Sequence, residues 1–152
     1  MIGALTVAFC LGGLFGAQAV GNAPAAVTVI PLGPVAPVDV PGQALYLVNY
    51  TIAPGTELPL HHHEGTQIGL VTAGELTYRV VNGEVPVFRT DPSGKSEQVR
   101  TVRAGETVII GAGEWVVEEP DDHHQGANRG TEPVLITTST LLRQGAPLAT
   151  RD

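Results

Sequence analysis

The sequence has one Cys in 152 residues, and its eight Lys and Arg are outnumbered by fifteen Asp and Glu, for a net charge of −7. A single Cys excludes an internal disulfide framework and a Cys-rich zinc site. The shortage of basic residues excludes the electrostatic footprint of a nucleic-acid binder. Long helix-compatible stretches are missing too. Beyond Gly42, no run free of both Gly and Pro exceeds 11 residues, which argues against a helical bundle or a doubly wound fold. What is present is enough apolar residue, 43% of the chain, to bury the core of one domain. There are also five His, which occur only as His61-His62-His63 and His123-His124.

Met1 to Ala19 is apolar and uncharged, and the first charged residue is Asp39. An apolar run ending in Ala17-Gln18-Ala19 fits the core and cleavage site of a secretory signal, although no Lys or Arg precedes it. The alternative is an uncleaved membrane anchor over residues 1–20. Export to a periplasmic or extracellular space is therefore the expectation, and cleavage after Ala19 would remove Cys10. Residues 20–42 are rich in Ala, Val and Pro and read as an extended linker, with Val27 to Ile30 able to add an edge strand.

From Gln43 to Leu142 the pattern is short β-rich runs between turn residues. Ala44 to Ile52 closes at Pro54-Gly55, and Glu75 to Val81 alternates. Asn82-Gly83 is a hairpin signal into Val85 to Arg89, and Asp91-Pro92-Ser93-Gly94 is a second turn before Glu97 to Val102. Val108 to Ile110 and Val134 to Leu142 complete the series, and residues 143–152 read as a loose tail. About ten strands at this spacing imply an all-β domain, either a two-sheet sandwich or a small barrel.

On a strand, His61 and His63 share a face and His62 points the other way. Three imidazoles meeting inside a barrel would suit a transition cation. Read alone, the clusters fit a metal site or a surface accident equally well. The wider context adds to this. Gly55-x5-His61-x-His63-x3-Gln67-x6-Gly74 resembles the first conserved motif of the cupin superfamily, which carries Glu where Gln67 stands. Gly113, His124 and Asn128 match the second motif at the right separations, with Glu119 and Asp121 in place of its Pro and Gly.

The resemblance implies a cupin double-stranded β-helix, that is, a jelly-roll barrel. By position it implies one divalent metal (Fe, Mn, Ni or Zn) held by His61, His63, Gln67 and His124. With Gln67 as a neutral ligand the ion would keep its full +2 charge and attract anionic ligands. Glu64, Asp121 and Asp122 are alternative carboxylates whose spacing suits exposed turns better. Gly69 and Val71 share the face of Gln67 and would floor the pocket, and Tyr78 and Trp115 are candidates for its wall. Glu118 and Glu119 are candidate general bases within an acidic run that reads as a solvated loop. The implied activity is a metal-dependent dioxygenase acting on a small organic anion. Alternatives are a metal-assisted isomerase or lyase and a non-catalytic binding module. The expected partner is a small molecule, with no nucleic acid, and the resemblance admits a homodimer.

Overall fold

The computed structural model describes residues 25–152, so the expected signal or anchor over residues 1–19 lies outside the described residues. The described residues form twelve strands and no helix. In chain order these are β1 (Val27–Val35), β2 (Gln43–Ile52), β3 (His61–His62), β4 (Gly65–Ala73), β5 (Glu75–Asn82) and β6 (Glu84–Thr90). The second half comprises β7 (Ser96–Arg103), β8 (Thr107–Gly111), β9 (Glu114–Glu118), β10 (His123–Ala127), β11 (Val134–Arg143) and β12 (Thr150–Arg151). They build a seven-stranded sheet, β1-β2-β11-β4-β9-β6-β7, and a five-stranded sheet, β12-β3-β10-β5-β8. Every pairing is antiparallel. The all-β jelly roll expected from the sequence is the fold observed.

Alternation decides which side chains enter the barrel. Along β4, Gln67, Gly69 and Val71 point inward while Thr66, Ile68 and Leu70 point out, as the two-residue period of a strand requires. The core contains Ile52, Val80, Val85, Val87, Val102 and Val134, all fully shielded from solvent. Each such side chain contributes roughly 1.5–3 kcal/mol on burial. β-Branched residues dominate because they pack well on a pleated surface.

Three local expectations change. Residues 27–35, read as part of a linker with an optional short strand, form a full edge strand against β2, from Val27 opposite Ile52 to Val35 opposite Leu45. Pro31 and Pro34 are tolerated because an edge strand has one side free of ladder bonds. Asn82-Gly83 makes a tight turn, with Gly83 at φ +85°, but not a hairpin: β5 belongs to one sheet and β6 to the other. Asp122 redirects the chain there, accepting the Glu84 N–H at 3.0 Å. The expected loose tail folds back so that Thr150 pairs with His62 and Arg151 with His61.

Candidate metal centre

His61 and His124 are direct register partners across β3 and β10, and His63 follows His61 by two residues, so all three rings turn into the barrel. Their centroids lie 4.4 Å apart for His61 and His124, and 5.3 Å for each of the other two pairs. One nitrogen from each ring can be chosen so that all three lie within 4.8 Å of one another.

The backbone decides which nitrogen that is. His61 Nδ1 lies 2.8 Å from the carbonyl of Pro59, His63 Nδ1 2.7 Å from that of Leu148, and His124 Nδ1 2.9 Å from that of Asp122. A carbonyl only accepts, so each Nδ1 carries a proton, and in the neutral ring Nε2 keeps the bare lone pair. Metal-binding His residues commonly have this outer support, which fixes both tautomer and ring orientation. Burial, reinforced by repulsion from His124, holds His61 down at about 4. Burial likewise lowers His63. Both rings are therefore neutral at neutral pH, as ligands must be.

The fourth group is a carboxylate on the neighbouring strand. Glu118 is opposite Gln67 in the β4–β9 register, with Oε2 3.4 Å from His63 Nε2 and Oε1 3.3 Å from His124 Nε2. Gln67 Nε2 donates to Glu118 Oε2 at 2.7 Å, and Tyr78 Oη donates to Glu118 Oε1 at 2.7 Å. Burial alone would raise the Glu118 carboxyl, but His124, His63, Tyr78 and Gln67 together hold it below its ordinary value. The price of that buried charge appears on its donor: burial and the charge on Glu118 push the Tyr78 hydroxyl well above its usual range.

Gln67 is buried beside the imidazoles, as expected, but its orientation is set by its neighbours. A carboxylate can only accept, so the amide NH2 must face Glu118, and it also lies 3.1 Å from His63 Nε2. The Gln67 carbonyl oxygen is turned the other way, accepting from Thr140 Oγ1 at 2.7 Å. The other acidic candidates are engaged elsewhere. Glu64 pairs with Arg143, Glu119 accepts from Thr66, and Asp122 caps the N–H groups of Glu84 and Glu119.

The rings open into a cavity of about 510 Å³ whose lining includes Ile52, Val71, Leu76, Ile110, Val116 and Tyr78. Gly69 and Val71 line it as expected, and so does Tyr78. Trp115 does not. It faces outward and stacks on Phe88, ring centroids 4.2 Å apart, because it alternates with the inward Val116. Among the described residues, Arg151 on β12 is the one Lys or Arg lining the cavity, and it has no carboxylate partner within salt-bridge distance there.

Sequence reasoning therefore missed Arg151, and it named Glu118 only as a candidate general base in a solvated loop, whereas Glu118 is buried at the end of β9 beside the imidazoles. Alternation puts Glu118 on the face of Val116, but the sequence Trp115-Val116-Val117-Glu118 does not say which of the two Val residues points inward. No sequence signal marked Arg151, which depends on β12 returning to β3.

The donor set fits a divalent transition metal. Three imidazoles and one carboxylate converge, with the Gln67 amide and the Tyr78 hydroxyl donating to the carboxylate.

No protein-family model matches this sequence, and no curated protein matches it. Solved structures do match in shape. A cupin 2 domain-containing protein from Halorhodospira halophila is similar with a TM-score of 0.53 at 13% identity, over 88% of this chain and 75% of that one. A salicylate 1,2-dioxygenase from Pseudaminobacter salicylatoxidans is similar with a TM-score of 0.51 at 14% identity, over 78% of this chain but only 27% of the dioxygenase chain. Identities this low speak to the fold, and the fold is that of the cupins.

Proposed function

We propose that this cupin-fold barrel binds one divalent transition metal through His61, His63 and His124, with Glu118 as the adjoining carboxylate. In this reading the protein is a dioxygenase for a small organic anion. The observation that carries the proposal is the convergence of three Nε2 lone pairs, each tautomer fixed by a backbone carbonyl, at one end of the cavity.

When bound, the metal supplies Lewis acidity and, for iron or manganese, electron exchange with dioxygen. The chain's own residues do the rest. Arg151 at the cavity lining offers a guanidinium suited to a substrate carboxylate. Ile52, Val71, Leu76 and Ile110 exclude water from the substrate's apolar part. Tyr78 and Gln67 hold Glu118 in one orientation. The carboxylate lowers the net charge of the loaded site to +1, and Arg151 adds a second positive charge, so the preference for anions survives the change from the expected neutral ligand set.

A second reading, a non-catalytic metal or small-ligand module, is favoured by one observation. Both oxygens of Glu118 are already occupied by donors, so no unengaged general base faces the imidazoles. The same experiment separates the two. Untagged protein purified anaerobically is assayed for bound metal beside His63→Ala, then for oxygen uptake with salicylate, catechols, enols and diketones. Stoichiometric metal lost in the variant supports the site, and absence of metal under every condition overturns it. Oxygen uptake supports the enzyme, and its absence across the panel supports the module. We also propose export, on the strength of the apolar segment ending in Ala17-Gln18-Ala19. Cell fractionation with N-terminal sequencing tests this, and an uncleaved cytoplasmic product would refute it.

A further inference from the structure

The two His clusters are double-sided. Because strand residues alternate, the doublets that send His61 and His124 inward send His62 and His123 outward, on the opposite faces of β3 and β10. There the rings face each other at a tilt, with centroids 4.6 Å apart and planes at 31°. Asp152 stands between them. Its Oδ1 is 2.8 Å from His62 Nδ1 and its Oδ2 is 2.7 Å from His123 Nδ1.

We propose that His62, His123 and Asp152 form a second divalent-metal site, on the outside of the barrel, that clasps the C-terminal strand β12 to β3 and β10. Two imidazoles and one carboxylate are a donor set for zinc, nickel or copper, and they leave positions for water. Ligands bonded at about 2.1 Å lie about 3.0 Å apart at right angles and about 3.4 Å apart in a tetrahedron. The hydrogen-bonded separations of 2.7 and 2.8 Å must therefore open by only a few tenths of an ångström to admit an ion. The cation would take the place of the two Nδ1 protons now shared with the carboxylate. Side-chain exposures of 22%, 30% and 21% for His62, His123 and Asp152 give an ion access without a channel.

The site is also built rather than accidental. The register of His124 on His61 fixes both outer rings, and the Asp152 N–H donates to the Leu60 carbonyl at 3.2 Å. Thr150, the register partner of His62, has a buried hydroxyl without a hydrogen-bond partner, so this face has polar capacity in reserve. The segment being clasped matters to the interior. It brings the Leu148 carbonyl to His63 Nδ1 and Arg151 to the cavity lining. A metal at the outer site would thus tighten the strand that closes the inner one, whatever reaction the interior performs.

The test is zinc stoichiometry by equilibrium dialysis with elemental analysis, on the untagged full chain after chelator treatment. Wild type should bind two equivalents. Asp152→Asn and the double variant His62→Asn/His123→Asn should each bind one, and the inner double variant His61→Asn/His124→Asn should also retain one. In wild type, zinc should slow hydrogen exchange at the Asp152 amide, and this protection should vanish in His62→Asn/His123→Asn. Equal zinc content in wild type and His62→Asn/His123→Asn overturns the outer site. Loss of zinc confined to His61→Asn/His124→Asn overturns it as well, while leaving the inner centre intact. His62, His123 and Asp152 lie outside the core, and circular dichroism confirms folding of every variant, the inner pair included.

Discussion

Gln67 and Glu118 are cross-strand partners on β4 and β9, joined by a 2.7 Å hydrogen bond from the Gln67 amide to the Glu118 carboxylate. Gln67 stands where the cupin motif it resembles carries Glu, and it donates to a carboxylate on the adjacent strand. That carboxylate lies beside the imidazoles, 3.4 Å from His63 Nε2 and 3.3 Å from His124 Nε2.

This relationship makes an exchange experiment informative. Glu118→Gln should weaken metal binding about 10- to 100-fold. Gln67→Glu alone should lower stability, because two carboxylates then share one buried site. The exchanged pair, Gln67→Glu with Glu118→Gln, should recover most of the metal affinity. Chelator competition and thermal melts on all four proteins measure the coupling, and additive effects would show that the two residues act independently.

Arg151 should govern anion affinity without governing metal content. Arg151→Ala is expected to weaken binding of a small aromatic carboxylate about tenfold, the value of one exposed charge-assisted contact of roughly 1.4 kcal/mol. Calorimetry with metal-loaded protein measures it, with elemental analysis as the control. An unchanged affinity would remove Arg151 from the ligand's path.

Acid stability should depend on Glu114. Arg100 binds both its oxygens at 2.9 and 2.8 Å, and Arg89 adds a third contact at 2.9 Å. The Arg100 hydrogen bonds are the largest influence holding its carboxyl at about 2. A depressed folded value stabilises the protein above the ordinary value of 4.5 and loses that effect as pH falls from there through about 2. After allowance for solvent at the arginines, the contribution is of order 2 kcal/mol. Urea midpoints at pH 6 and pH 2.5 should differ more for wild type than for Glu114→Gln.

Gly83 should tolerate no side chain. Its φ is +85°, and a Cβ there would collide with Asp122 Oδ1. Gly83→Ala is therefore expected to cost about 2 kcal/mol or more in chemical denaturation. Since the Asp122 carbonyl holds His124 Nδ1, metal affinity should fall with it. A variant as stable as wild type would mean that this turn relaxes freely.

Much of the barrel was legible because strand alternation and turn chemistry are local. Gln43–Ile52, Glu75–Asn82 and Val134–Arg143 lie within a residue of the runs read from Ala44, Glu75 and Val134. The Asn82-Gly83 turn was read correctly, but its outcome was not. Local preference favours a hairpin, whereas the bonds Asp122 makes from across the chain send β6 into the other sheet. Trp115 was misplaced for a related reason: an aromatic residue suits either face of a strand, and only the packing of Val116 into the core settles that Trp115 faces out, onto Phe88.

The sequence by itself determined an all-β domain and put His61 and His63 on one strand face, because period-two alternation is a property of the chain. That the domain is a jelly roll with His124 beside them was implied by the resemblance to the two cupin motifs. Only the tertiary structure decided which carboxylate joins them, which residue lines the cavity with positive charge, and that the chain's last residues close the barrel. Each of those depends on which strands become neighbours, and that is set by long-range pairing in which residues 67 and 118, or 61 and 151, meet across most of the fold.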